Sequence, residues 1–406
     1  MVNESRSLEN KGWEDTRAPF PRRNLPVLVV SSFLLGGAFM LYNSLLQPLV
    51  IRLEGSMAIV GTMVSISHFS MLLPMLIFGE YSDRTGRRRP MLIASLFLIV
   101  AGLLFVTATY WSILFFPVLI AGFAIALNQP AMNAATAESV PSGQHTRAFT
   151  YRSASRLIAG VFAAVLGYVV LRQGSIQSAF LLFTILVGVN LGLIYFMLSE
   201  TLISPGQTSG FFQNIKSNLP IPSKLKSLYF YVVITDSFAY GMGWHLIYGL
   251  LADFQGVTDQ KILLYALLTS LAGGVCQIGV VSRVVDWTRK WAIVLSDSIA
   301  VPSILVCALF PGELTFLVIF VLFGIAMSFW GPAIQSLVVD HVSPERTASE
   351  FGKLWGARGI VSLFPPILGG ILAETYGYRA PLLGNVVLGV VSLSVAILFL
   401  DRSNLQ

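Results

Sequence analysis

Gly79-Glu80-Tyr81-Ser82-Asp83-Arg84-Thr85-Gly86-Arg87-Arg88-Arg89-Pro90 decides how this chain is read. Four arginines, two carboxylates and two glycines fall in twelve residues of a chain that is only 11% charged. Long apolar runs lie on both sides, at 57–78 and 90–109. So many charges must stay in water, because burying each unpaired one in hydrocarbon costs several kcal/mol. The flanking runs therefore cross a membrane in opposite directions.

Composition extends this reading outward. Of 406 residues, 55% are hydrophobic, and the mean hydropathy is +0.75. A soluble chain of this length needs more polar surface. One span takes about 20 apolar residues. Apolar runs fall at about 25–50, 57–78, 90–109, 111–137, 148–171 and 176–198, and again at 228–251, 259–281, 291–310, 313–339, 350–373 and 380–401. The first is longer than a signal-peptide core of ~7–15 residues, so it reads as a membrane helix. None shows strand-like alternation. The expected fold is an all-α membrane protein with twelve transmembrane helices.

The net charge of +6 does not point to nucleic acid, because the basic residues sit in loops between spans. Twenty-two of the 26 fall on one side; only Arg52, Arg172, Lys261 and Arg379 fall on the other. The positive-inside rule puts the basic side, and both termini, in the cytoplasm. Cys276 and Cys307 lie singly in apolar runs, so neither a disulfide, a metal site nor a cofactor is expected.

The polar stretch 200–227 divides the chain into two alike halves, 25–199 and 228–401, with tails at 1–24 and 402–406. At an offset of 205, Ser32-Phe33, Gly36 and Leu45-Leu46 recur as Ser237-Phe238, Gly241 and Leu250-Leu251. At 203, Asp83 meets Asp286; at 202, Pro130, Glu138 and Arg156 meet Pro332, Asp340 and Arg358. So steady a register marks an internal repeat, hence two pseudo-symmetric six-helix bundles.

With these features the chain resembles the major facilitator superfamily of transporters along its whole length. Its opening stretch matches that family's motif A, between the second and third helices. The chemistry is readable. Gly79 permits close helix approach, Gly86 a tight turn, and Asp83 can meet a helix N-terminus and pair with arginine. The resemblance implies a gating latch of Asp83, Arg84, Arg87 and Arg88 that reaches the eleventh helix; headgroup anchoring by the arginines is the plainer alternative. The second copy is degraded: Asp286, Arg289 and Lys290 remain, but Ser282 and Trp287 replace the leading glycine and following arginine.

Inside the spans, Glu138, Arg156, Asp340 and Arg358 are expected to form ion pairs near the cytoplasmic ends, either switching or static. Asp236 and, more weakly, His245 and His68 are the proton-coupling candidates. Asp297 reads as structural, since the ninth helix is peripheral in this family. Gly241 and Gly243, beside His245, predict a break in the seventh helix. Tyr42, Asn43, Gln47, Asn128, Asn133, Tyr240, Trp244, Tyr248, Trp330 and Gln335 lie on helices that line the central cavity in this family. They suit an uncharged or weakly charged organic molecule.

The expected function is secondary active transport of a small organic solute across the cell membrane by alternating access, coupled to protons. The protein is expected to be a non-enzymatic monomer among membrane lipids. Efflux is favoured narrowly, because Gly160 and Gly167 keep a glycine spacing of the family's antiporters without their Gly-Pro. Uptake of a sugar, organic acid or other metabolite is the alternative. A non-transporting receptor or scaffold is the rival from another class.

Overall fold

The computed structural model describes residues 23–141, 145–202, 225–254, 257–281, 289–341 and 347–400. Every element among them is helical. The first half contains α1 (Asn24–Arg52), α2 (Met57–Leu72, continued by Met75–Thr85), α3 (Arg88–Thr107), α4 (Phe115–Glu138), α5 (His145–Gln173) and α6 (Ile176–Met197). The second half contains α7, in pieces from Lys226 to Asp253, then α8 (Asp259–Cys276, continued by Gln277–Val281) and α9 (Arg289–Leu309). It closes with α10 (Glu313–His341), α11 (Thr347–Val361, continued by Phe364–Tyr376) and α12 (Arg379–Phe399).

Eleven helices among the described residues are long and apolar enough to cross a membrane. The twelfth expected span is α7, which is segmented. It runs as Lys226–Tyr229, a wide π turn over Phe230–Asp236, Ser237–Met242, a tight 3-10 turn over Trp244–Leu246, and Ile247–Asp253. The break falls at Gly243, one of the glycine pair that predicted it. Large apolar side chains such as Phe116, Phe162, Phe196 and Leu398 are exposed. Hydrocarbon, unlike water, imposes no cost on such a surface.

Within the first half, α1 packs on α5 and α6, and α3 packs on α4 and α6. Within the second, α9 packs on α10 and α12, and α8 on α10. The halves meet along two seams, α2 with α11 and α5 with α8, and where α1 touches the end of α7. Backbones nearly touch at the first seam. A Cβ on Gly61 would run into the Pro366 carbonyl, and one on Gly370 into the Met57 carbonyl.

Several polar contacts join the halves on the side away from the basic loops. Arg52 pairs with Asp259 at 3.0 Å. The Ala58 N–H donates to Glu374 Oε2 at 3.1 Å, and Gln260 Nε2 donates to the Leu171 carbonyl at 3.0 Å. Gln47 supplies a further bridge, to the broken part of α7. This side is closed in the structure.

Candidate functional site

The opening stretch turns from α2 into α3 at Gly86, whose φ of 91° and ψ of 172° are open essentially to glycine alone. The reason for that glycine stands opposite it. A Cβ would lie 2.5 Å from Glu200 Oε2. The Glu200 carboxylate accepts from the backbone N–H groups of Arg87 (2.8 Å) and Arg88 (3.1 Å), so it caps the start of α3. It also accepts from Thr201 (3.0 Å) and Leu202 (3.1 Å). Partial burial pushes this carboxyl up, but the four N–H donors outweigh burial and hold it below its ordinary value. Glu200 was not among the residues expected here. Its only sequence signal is a carboxylate just past the end of α6.

The arginines of the stretch tie the first bundle together. Arg87 is buried, and its Nη2 lies 2.8 Å from Glu138 Oε1, while its Nη1 donates to Ser82 Oγ at 3.1 Å. Arg88 donates from Nη2 to the Tyr195 carbonyl and lies over the Tyr195 ring at 5.7 Å. The second half repeats this contact at the same offset of 202, with Lys290 Nζ donating to the Ile397 carbonyl at 2.6 Å. Arg289 Nη1 meets the Ser336 carbonyl at 3.4 Å. The Tyr195 and Ile397 carbonyls lie in the last turns of α6 and α12, where they have no partner within their own helix, and Arg88 and Lys290 satisfy them. Through these contacts Arg87 and Arg88 join α3 to α4 and α6. The segment Met75–Thr85, which carries Gly79, Asp83 and Arg84, does pack against Thr347–Val361 of α11. Asp286 lies outside the described residues, as do the side chains of Asp83 and Asp340.

The expected intramembrane ion pairs are distributed differently. Glu138 binds Arg87, not Arg156. Arg358 lies 2.6 Å from Asp236, with Arg358 Nη2 against Asp236 Oδ2 and both side chains buried. The guanidinium carbon is 5.1 Å from the Trp330 ring centre and 5.6 Å from that of Trp355. The cation therefore has a carboxylate and two aromatic faces as partners. Asp236 ends the π turn of α7, a distortion that often marks functional positions. Asp297 on α9 accepts from Tyr231 (2.8 Å) and Tyr240 (2.8 Å). Both hydroxyls come from α7, so the structure ties this helix to α9 through a carboxylate.

The cavity residues separate into groups. Tyr42 points into the first bundle, where its hydroxyl meets Ser67 at 2.9 Å and its ring packs near Phe105 and Phe183. Its register on α1 turns it inward, so it is a packing residue there. Gln47 braces the break in α7, with Nε2 donating to the His245 carbonyl at 2.7 Å and Oε1 accepting from Gly249 N–H at 2.8 Å. Asn385 of α12 accepts from Trp244 N–H at 2.9 Å. A helix break inside a membrane requires such substitute partners. Trp244 stacks on Phe323 at 3.6 Å, and Tyr248 lies 5.8 Å from Phe320, which makes one aromatic wall of α7 and α10.

Asn128 and Trp330 are buried, whereas Asn43, Asn133 and Gln335 are exposed. Asn43 shares the stripe Gly36, Met40, Asn43, Gln47, whose other members face α5 or α7. Asn133 accepts from Arg152 Nη1 at 3.1 Å. His68 and His245, from opposite halves, meet edge to face at 4.8 Å. Among the described residues no group of acidic, histidine or cysteine side chains is placed to hold a metal.

Known proteins agree with this architecture. "Multidrug resistance protein 2" of Bacillus subtilis (strain 168) is 22% identical over 371 residues, covering 87% of this chain and 89% of that protein. "Multidrug resistance protein MdtG" of Dickeya zeae (strain Ech586) is 23% identical over 390 residues, covering 90% and 92%. A crystal structure titled D-xylose-proton symporter superposes with a TM-score of 0.76 at 14% identity, covering 95% of this chain and 99% of that one. The model of the Major Facilitator Superfamily matches residues 28–364 and 280–405. This chain, a multi-pass membrane transporter and not an enzyme, belongs to the Major Facilitator Superfamily.

Proposed function

We propose that the protein exports a small organic solute from the cytoplasm by alternating access, coupled to protons. The observation that carries this reading is the buried Asp236–Arg358 pair at the π turn of the broken helix α7. A carboxylate there can hold either the guanidinium or a proton. Protonation releases Arg358 from its counter-charge, and loss of the proton restores the pair. This links proton occupancy to the positions of α7 and α11. Both helices contribute to the contact between the halves.

The closed side is held by contacts that a rocking motion can afford to break. The Arg52–Asp259 pair is partly exposed, and such a pair contributes about 0–1 kcal/mol. The hydrogen bonds of Ala58, Gln260 and Gln47 add roughly 0.5–1.5 kcal/mol each. A gap of a few kcal/mol is what a two-state machine requires. The names of the two multidrug resistance relatives support the export direction. The clustering of basic residues supports cytoplasmic termini and a cytoplasmic position for the opening stretch. In this reading the unit 25–199 rocks against 228–401 about the linker 200–227, and Asp83 latches the cytoplasmic side.

Proteoliposomes with an imposed pH gradient test the coupling. Wild-type protein should accumulate a transported solute against its gradient, while Asp236→Asn should only equilibrate it. Accumulation by the mutant at the wild-type level would remove Asp236 from the mechanism.

A further inference from the structure

The two halves treat one arginine differently. In the second half, Arg358 is neutralised by Asp236 and flanked by Trp330 and Trp355. Applying the repeat offsets of 205 and 202, the corresponding first-half positions are Arg156, Ser31, Asn128 and Ser153. The carboxylate has become a serine, and both tryptophans have become neutral polar residues. Ser31 Oγ and Asn128 Oδ1 are buried without a hydrogen-bond partner. Arg156 itself has no hydrogen bond or ion pair among the described residues.

The position of Arg156 makes this lack of a partner informative. It lies five residues beyond Tyr151, where the apolar span of α5 begins, about 8 Å along that span at 1.5 Å per residue. Its side chain is exposed. Gly160, one turn later on the same face of α5, meets Met40 of α1 and Ser270 of α8, so Arg156 stands beside the seam between the halves. A Cβ on Gly36 of α1 would lie 2.6 Å from Arg156 Cγ, so glycine at that position leaves the arginine room. Arg152, one turn earlier, is held by Ser32, Asn133 and Thr136 at 2.9–3.1 Å and adds a second positive charge nearby. No described carboxylate pairs with either arginine.

From this we infer that Arg156 anchors the anionic group of the transported solute, so the cargo is an organic carboxylate, sulfonate or phosphate. A charge kept at such depth without a counter-ion needs water or an anion, and a guanidinium matches a planar carboxylate or a phosphate with paired donors. Asn133, exposed and bonded to Arg152, supplies a neutral polar group nearby. The expectation of an uncharged or weakly charged cargo is revised accordingly. An anionic lipid headgroup offers the same chemistry, and the test separates the two sources. The inference rests on the transporter reading above.

The test uses purified full-length protein in neutral detergent. Thermal shifts are read with benzoate, benzenesulfonate and phenyl phosphate, with benzamide as the neutral control and with added phosphatidylglycerol. At least one soluble anion should stabilise the wild type where benzamide does not. Its apparent affinity should fall about tenfold or more in Arg156→Gln and be partly kept in Arg156→Lys. If only phosphatidylglycerol stabilises, and only with Arg156 present, the anion is a lipid headgroup and the soluble-cargo assignment is overturned. Equal shifts for anions and benzamide in the wild type, or undiminished anion binding in Arg156→Gln, overturn the inference. The wild-type comparison decides the matter even if Arg156→Gln fails to fold. Normal flux of a neutral solute without anion binding would sink the anion assignment alone. Anion binding without flux of any solute would sink the transporter reading alone.

Discussion

Gly86→Ala should be among the most damaging small substitutions in this chain, and the structure gives the size of the effect in two parts. At φ 91° and ψ 172° an alanine stores backbone strain of about 1–3 kcal/mol. Its Cβ would also sit 2.5 Å from Glu200 Oε2, far inside the ~3.5 Å of ordinary contact. Glu200 must then swing away and give up its bonds to the N–H groups of Arg87 and Arg88. Losing these charge-assisted bonds costs roughly 1.5–3 kcal/mol, for a total of about 2.5–6 kcal/mol. In a Glu200→Ala background the collision is gone, so Gly86→Ala should cost only the strain of about 1–3 kcal/mol. A double-mutant cycle, read by denaturant unfolding of the four proteins in mixed micelles, measures the coupling. Additivity within about 0.5 kcal/mol would refute the role assigned to Glu200.

Four further outcomes follow from the same contacts. Because the Glu200 carboxyl is held below its ordinary value, the stability it contributes is complete above about pH 4.5 and is lost as pH falls through the lower folded value; the gap between wild type and Glu200→Gln should therefore close on acidification, and a gap that widened would reverse the sign. Arg87→Ala should destabilise by about 3 kcal/mol, the low end for a buried pair because Glu138 is 29% exposed, as measured by the unfolding midpoint. Gly61→Val should hold the halves apart at the α2–α11 seam, so a disulfide between Arg52→Cys and Asp259→Cys should form far more slowly than in the glycine parent. Asp83→Asn should reduce transport more than Asp286→Asn, since the second copy of the stretch is degraded; equal losses would remove the asymmetry.

Much of this protein is determined by composition along the chain. The spans are legible because a run of about 20 apolar residues has one stable destination. Even the break in α7 shows in advance through Gly241 and Gly243, because local backbone freedom is a local property. The repeat, found as matching residues at an offset of 202, predicts that Arg88 and Lys290 do equivalent work, and their bonds to the Tyr195 and Ile397 carbonyls follow that offset.

Partnership is what only the tertiary structure decided. Glu138 and Arg156 are mirrored by Asp340 and Arg358, yet Glu138 binds Arg87 and Arg358 binds Asp236. Tyr42 and Gln47 lie five residues apart on α1, yet one packs inside its own bundle and the other braces the opposite half. An ion pair or hydrogen bond depends on the angle at which a side chain leaves its helix and on which helix stands there. Hydropathy places a residue at a depth in the membrane, and packing alone gives it a neighbour. For Arg156, packing left that place open.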